Sequence, residues 1–234
     1  MAAPKQKMAR PVGPKIAPAA LLFLAISYLI TCYPSRASFS PLPPQVKSVE
    51  GYASLQLTRD GRKLKSRFSY LFLLPDQARI DVSAPFGQTV SRLFVVGEEA
   101  FFVLPTKKLY WKASREEVLS KFLGFALSPK EMTDILTGRL KEIDGWSLER
   151  DDRGRVVRGR RNGLRFEVRR FWGGGAIPWI LAFSSAEDQG SLRIFSLNFN
   201  QPLKKDAFRL FFLEEEEYTA TTWAEIENLL RHED

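Results

Sequence analysis

Cysteine and histidine are almost missing from this chain. Cys32 is the only cysteine and His232 the only histidine among 234 residues. One cysteine excludes a disulfide within the chain and the paired-ligand spacing of a zinc site. Cys32 and His232 stand near opposite ends, so no Cys–His nucleophilic pair is expected, and no serine has a well-placed base. Sequence for a phosphate-binding loop is also missing. Gly173-Gly174-Gly175 sits between two strand-like runs and opens no helix, so it reads as a hairpin turn. Acid pairs such as Asp151-Asp152 lie in turn-like sequence and read as solvated. No catalytic residues, metal or cofactor are expected, and the chain does not read as an enzyme.

Long apolar runs are scarce too. The longest, Leu21 to Ile30, is too short for a span, which needs about 20 residues. It follows a basic segment, Lys5 to Lys15, and ends in Leu29-Ile30-Thr31-Cys32. A basic start, a short apolar stretch and a cysteine at the cleavage point form the pattern of a bacterial lipoprotein signal. Residues 1–31 would then be removed and Cys32 lipidated. Thr31 departs from the Gly, Ala or Ser usual before such a cysteine. Two other readings stand beside this one. The stretch Ile16 to Tyr33, with Pro18 inside it, would serve as an uncleaved anchor. Ser35-Arg36-Ala37 resembles an ordinary secretory cleavage site.

The basic excess is modest once targeting is set aside. Residues 1–31 hold four of the 35 Lys and Arg and no acid, which leaves a net charge of +4 instead of +8. That makes no case for nucleic acid as a partner. Eight arginines between Arg153 and Arg170 read as the wet face of a hairpin, or as contacts for anionic headgroups or an acidic protein. The hydrophobic fraction of 44%, with 18 Phe and 5 Trp, is enough to fill one sizeable core.

Residues 32–45 carry four prolines (Pro34, Pro41, Pro43, Pro44) and read as a tether after Cys32. Residues 46–234 read as one domain. From Val46 the apolar period is two: Val49, Ala53, Leu55 and Leu57, then Asp60-Gly61 as a hairpin turn, then Phe68, Tyr70 and Phe72. Further strands are expected over 78–83, 89–96, 100–104, 108–112, 146–150, 156–159, 164–171, 179–183, 192–199 and 208–212. Ser114 should cap a helix through Leu123. Ser128, Pro129 and Glu131 should start a second helix that stops at Gly138. A terminal helix is expected from Trp223 to Arg231. Glu214 to Glu217 reads as acid that blunts a sheet edge. The expected fold is mainly β: a half-open antiparallel barrel of about 11–12 strands, with a mid-chain helical lid over an apolar cavity.

Between two strands lies Ala84-Pro85-Phe86-Gly87. Pro85 fixes φ and Gly87 permits a tight bend, which would lift Phe86 to a loop tip or let it fold back onto the core. With this element, the cysteine after the apolar run, the paired strands Val46 to Leu74 and the helix Ser128 to Gly138, the chain resembles the LolB-like outer-membrane lipoproteins. Ile135 stands where such a helix commonly has Trp. The resemblance implies a lipid-anchored protein facing the periplasm at the outer membrane. It would bind acyl chains of lipoproteins handed over by a LolA-like periplasmic carrier, and release them into membrane lipids. It also implies Pro85-Phe86-Gly87 as the insertion loop, with Phe86 at its tip. Leu55, Leu57, Phe68, Tyr70, Phe72, Phe94, Phe101, Leu104, Met132, Ile135 and Leu136 are the expected cavity and lid residues. Two alternatives remain: a lipoprotein that holds a protein partner in the same cup, and a soluble lipid carrier cleaved after Ala37.

Overall fold

In a computed structural model of the chain, the described residues are 37–59, 62–84, 87–143, 145–185 and 188–232. Cys32, Pro85 and Phe86 lie outside them, as do the signal segment and Asp60-Gly61.

Alternating sequence produces one large sheet. Its strands are β1 (Ser38–Phe39), β2 (Ser48–Arg59), β3 (Arg62–Leu73), β4 (Gln77–Ser83), β5 (Thr89–Val96), β6 (Glu99–Leu104) and β7 (Leu109–Ser114). They continue as β8 (Ser147–Arg150), β9 (Val156–Arg161), β10 (Leu164–Phe171), β11 (Pro178–Ser184), β12 (Asp188–Phe199) and β13 (Thr219–Ala220). The order is β13-β7-β6-β5-β4-β3-β2-β12-β11-β10-β9-β8, so the sheet does not close. Pairing is antiparallel except at two short additions, β1 beside β12 and β13 beside β7. The central hairpin runs in unbroken register from Ser48↔Leu73 to Arg59↔Arg62, as alternation around Asp-Gly demands.

Among the described residues four α-helices accompany the sheet: α1 (Arg115–Leu123), α2 (Pro129–Thr137), α3 (Phe212–Glu215) and α4 (Trp223–His232). Ser114 caps α1 by accepting from the Glu117 N–H. At α2 the Ser128 hydroxyl accepts from the Glu131 N–H at 3.2 Å, while the Ser128 N–H donates to Glu131 Oε2 at 2.9 Å. This reciprocal cap satisfies two otherwise unpaired backbone donors. Gly138 ends α2 at φ +69°, and a Cβ there would stand 2.3 Å from the Ala176 carbonyl oxygen. Only glycine gives both the left-handed turn and the close approach of the β10–β11 loop.

The two faces of the sheet have separate cores. On the inner face Val49, Ala53, Ile80, Leu93, Phe102, Ile194 and Leu197 pack with α1, α2 and Ile226 of α4. Trp223 of α4 packs on Trp111 and Phe102, with ring centroids 5.1 and 6.2 Å away. On the outer face Phe94 and Val103 pack with Leu213, Phe212, Leu210 and Tyr218. The C-terminal segment thus lies on the outer face, pairs β13 with the edge strand β7 and places α4 on the inner face.

Three expectations change. Residues 208–212 form turns leading into α3, not a strand, and Arg79 Nη1 ties this segment to the sheet by donating to the Ala207 carbonyl at 3.3 Å. Glu214 and Glu215 accordingly lie in a helix on the sheet face, and β13 covers the edge. Part of the expected tether is folded onto the domain. β1 joins β12, Phe39 stacks on Trp172 at 4.4 Å, and Arg139 Nη1 donates to the Pro44 carbonyl at 3.1 Å.

Candidate functional site: an apolar cavity

The inner face is not filled along its whole length. Inward positions of β2–β5 and β10–β12 face α1, α2 and the segment joining those helices, and between them lies a cavity of about 450 Å³. That volume falls in the small-ligand range of about 300–1,000 Å³. Its wall is almost wholly aliphatic and aromatic, and among the described residues Lys65 is the one charged side chain lining it.

The cavity opens toward one end of the strands. The β2–β3, β4–β5, β9–β10 and β11–β12 connections all lie at this mouth end, as the registers require. Toward the opposite, closed end, Tyr70, Phe72 and Ile80 make the floor, each at most 5% exposed. Toward the mouth, Leu55, Leu57, Phe68, Phe122, Phe125 and Phe183 are only half-buried. The Tyr70 hydroxyl donates to the Ser196 carbonyl at 3.1 Å, beside a bulge in β12. Burial pushes that phenol far above its ordinary range, so it stays neutral.

Two inward glycines help shape the wall. A Cβ on Gly190 would meet the Phe183 ring at 2.4 Å, and one on Gly159 the Phe166 ring at 2.3 Å. The rings lie against the sheet backbone and leave the space in front of them open.

The lid helix α2 is fastened by one polar knot. Glu131 accepts from the Trp146 indole N–H at 3.0 Å and from the Arg161 guanidinium. Arg161 also lies over the Trp146 ring at 4.9 Å and donates to the Ala126 carbonyl at 3.3 Å. Burial alone would raise the Glu131 carboxyl. The Ser128 backbone N–H, the Trp146 indole, the Ser128 hydroxyl and the Arg161 charge outweigh it and hold the group below its ordinary range. The knot ties the start of α2 to the end of β9.

Of the residues expected at the site, the structure brings Leu55, Leu57, Phe68, Tyr70, Phe72, Met132, Ile135 and Leu136 together around the cavity. Three are elsewhere. Phe94 and Phe101 point to the outer face and belong to the second core. Strand alternation puts Leu93, Val95 and Phe102 inward instead. Leu104 is buried in the inner core but does not reach the cavity. Gly87 adopts φ +85°, and its N–H donates to the Ala84 carbonyl at 2.9 Å. The strands flanking this loop contribute Val82 and Ser91 to the cavity wall, so the loop springs from the mouth rim. Sequence reasoning missed the far wall: Leu164, Phe166, Leu181, Phe183 and Leu192. Its signal was there, as alternate positions of β10–β12. No cluster of three or more metal-ligating side chains occurs among the described residues.

An unclosed, mostly antiparallel sheet with helices over an apolar hollow recurs among solved structures. A putative outer-membrane lipoprotein-sorting protein domain from Vibrio parahaemolyticus superposes with a TM-score of 0.50 at 10% identity, over 73% of this chain and 93% of that one. A DUF1329-family protein from Desulfovibrio piger gives 0.49 at 10% identity, over 75% and 93%. A LolA-superfamily protein from Nitrosomonas europaea gives 0.45 at 11%, over 73% and 93%. No curated protein sequence matches the chain. Residues 48–207 match the family described as outer membrane lipoprotein LolB, and the chain belongs to that family. The matched span holds the whole cavity; α3, β13 and α4 lie beyond it.

Proposed function

We propose that this protein is a lipid-anchored, periplasm-facing acceptor that takes the acyl chains of lipoproteins into its cavity and helps insert them into the outer membrane. The observation that carries the reading is the cavity: half-buried aromatic and aliphatic side chains, held open within a LolB-family domain. Each methylene moved out of water gains about 0.8 kcal/mol, so an apolar hollow offsets much of the cost of drawing a chain out of a membrane. Transfer of this kind breaks no covalent bond, and the reading assigns no catalytic residue or cofactor.

On this reading Cys32 is the lipid anchor and Phe86 the tip that enters the bilayer. A LolA-like periplasmic carrier is the donor. The experiment is transfer of a radiolabelled lipoprotein from such a carrier, through this protein, into outer-membrane vesicles. Wild-type protein should complete the transfer. Phe86→Glu should accept the lipoprotein but release little of it. Equal release by the two proteins would overturn the role of Phe86, and failure of wild-type to accept any lipoprotein would overturn the function.

A further inference from the structure

The outer face of the sheet changes character toward the mouth. One cross-strand rank runs Ser147–Arg160–Arg165–Ser184–Gln189–Thr58–Lys63, through β8, β9, β10, β11, β12, β2 and β3. It contains three cations and no acid. The rank two residues nearer the closed end runs Glu149–Arg158–Glu167–Ala182–Ser191–Gln56–Lys65. There Arg158 sits between two carboxylates, 2.9 Å from Glu149 and 3.7 Å from Glu167. On β8–β10 the second rank holds one cation between two carboxylates, whereas the first holds two cations and no acid.

Arg160 and Arg165 stand directly opposite each other across β9 and β10. Like charges so placed destabilise a sheet, and neither has an ion-pair partner among the described residues. Lys63 and Lys65, both exposed, have none there either. Between them Leu64 turns to the mouth and is 48% exposed, although it belongs to the inward, apolar set. A shallow groove beside it on the outer face is edged by Gln56, Thr58, Lys63, Lys65 and Gln189. Seven strands at about 4.8 Å spacing make this rank roughly 30 Å wide.

We propose that this cationic rank, together with Lys65 of the rank beside it, is a collar that seats the cavity mouth on an anionic phospholipid surface. Phosphates meet Arg160, Arg165, Lys63 and Lys65, and Leu64 enters below them. A bilayer fits better than an acidic protein for two reasons. Three of the charges lie along one extended rank, with Lys65 in the rank beside it, so they do not form a compact cluster. An exposed leucine stands between the two lysines, so the long basic stems can lie along apolar surface while their heads reach phosphate. The proposal rests on the reading that cargo leaves through this mouth into a membrane.

The test uses the full chain reconstituted in vesicles and follows amine-reactive labelling. Lys63 and Lys65 are the reporters; Lys204 and Lys205, just past the closed end of β12, are internal references. On phosphatidylethanolamine–phosphatidylglycerol vesicles the two reporters should label several-fold more slowly than the references, and high salt should abolish the difference. On phosphatidylcholine vesicles all four should label alike. Substituting Arg160→Gln and Arg165→Gln together should weaken the protection, each charge being worth roughly 5-fold near an anionic surface. Reporters as open as the references on the anionic vesicles would overturn the collar, and protection appearing only with an acidic protein added would reassign the surface. Protection that is equal on both vesicle types would overturn it as well. A fluorescent fatty acid titrated into the same samples reports the cavity separately, so loss of the collar and loss of acyl binding are told apart.

Discussion

The closed end and the mouth end of this sheet are built from the same strands with the same period, yet they are packed differently. At the closed end Val49, Ala78 and Leu197 are fully buried. A few residues along the same strands, Leu55, Leu57, Phe68 and Leu192 keep the same inward direction but stay half-exposed. Interiors are normally close-packed, and an apolar side chain left half-wet forfeits part of the roughly 1.5–3 kcal/mol that full burial supplies. Stability is concentrated at one end and space is held at the other. The lid knot at Glu131 helps hold that space without filling it, while β1 and Phe39 dock at the closed end.

The largest expected contrast is between truncations at the two ends. Leu197→Ala should cost about 2–5 kcal/mol in urea unfolding, since it leaves a cavity in packed core. Leu57→Ala at the mouth should cost under about 1 kcal/mol. Similar losses at both ends would break the comparison.

Next in size is the lid knot. Glu131→Gln leaves the Arg161 charge without its carboxylate in a site where both side chains are under 20% exposed. A loss of about 2–3 kcal/mol is expected, at or just below the usual range for breaking a buried pair because some solvent reaches it. Adding Arg161→Met should recover part of that loss. A double variant as unstable as Glu131→Gln alone would show that the charge is not the cause.

A smaller effect should appear with acid. The Glu131 carboxyl titrates below its ordinary 4.5 in the folded protein, so the unfolded chain takes up protons first as pH falls. The stabilisation is complete above about pH 4.5 and fades as pH drops through the folded value. The thermal midpoint of wild-type protein should therefore fall more steeply below pH 4.5 than that of Glu131→Gln. Parallel curves would remove Glu131 from the account.

Much of this architecture was legible in the sequence. Alternation around Asp60-Gly61 gave the central hairpin, and Ser128, Pro129, Glu131 and Gly138 gave the lid helix with both its ends. The errors have a common source in strands that are apolar on both faces. In β5, Leu93, Phe94, Val95 and Val96 run together, so period alone does not say which side faces in. Reading Phe94 and Phe101 as cavity residues takes one choice of face, and a shift of one residue reverses it. They pack outward because the C-terminal segment with Phe212 and Leu213 covers that side, a long-range contact with no local signature. The packing of Phe39 on Trp172 was hidden for the same reason, and proline-rich sequence there suggested a free tether.

The most direct test of the central claim, that the open end exists to hold acyl chains, is native mass spectrometry of the purified protein beside a Leu55→Trp variant that fills the mouth-side cavity. The account predicts wild-type protein carrying acyl-chain mass, and a variant that is folded, equally stable and empty. Wild-type protein free of lipid even after incubation with a lipoprotein, or a variant loaded to the same extent, would contradict it.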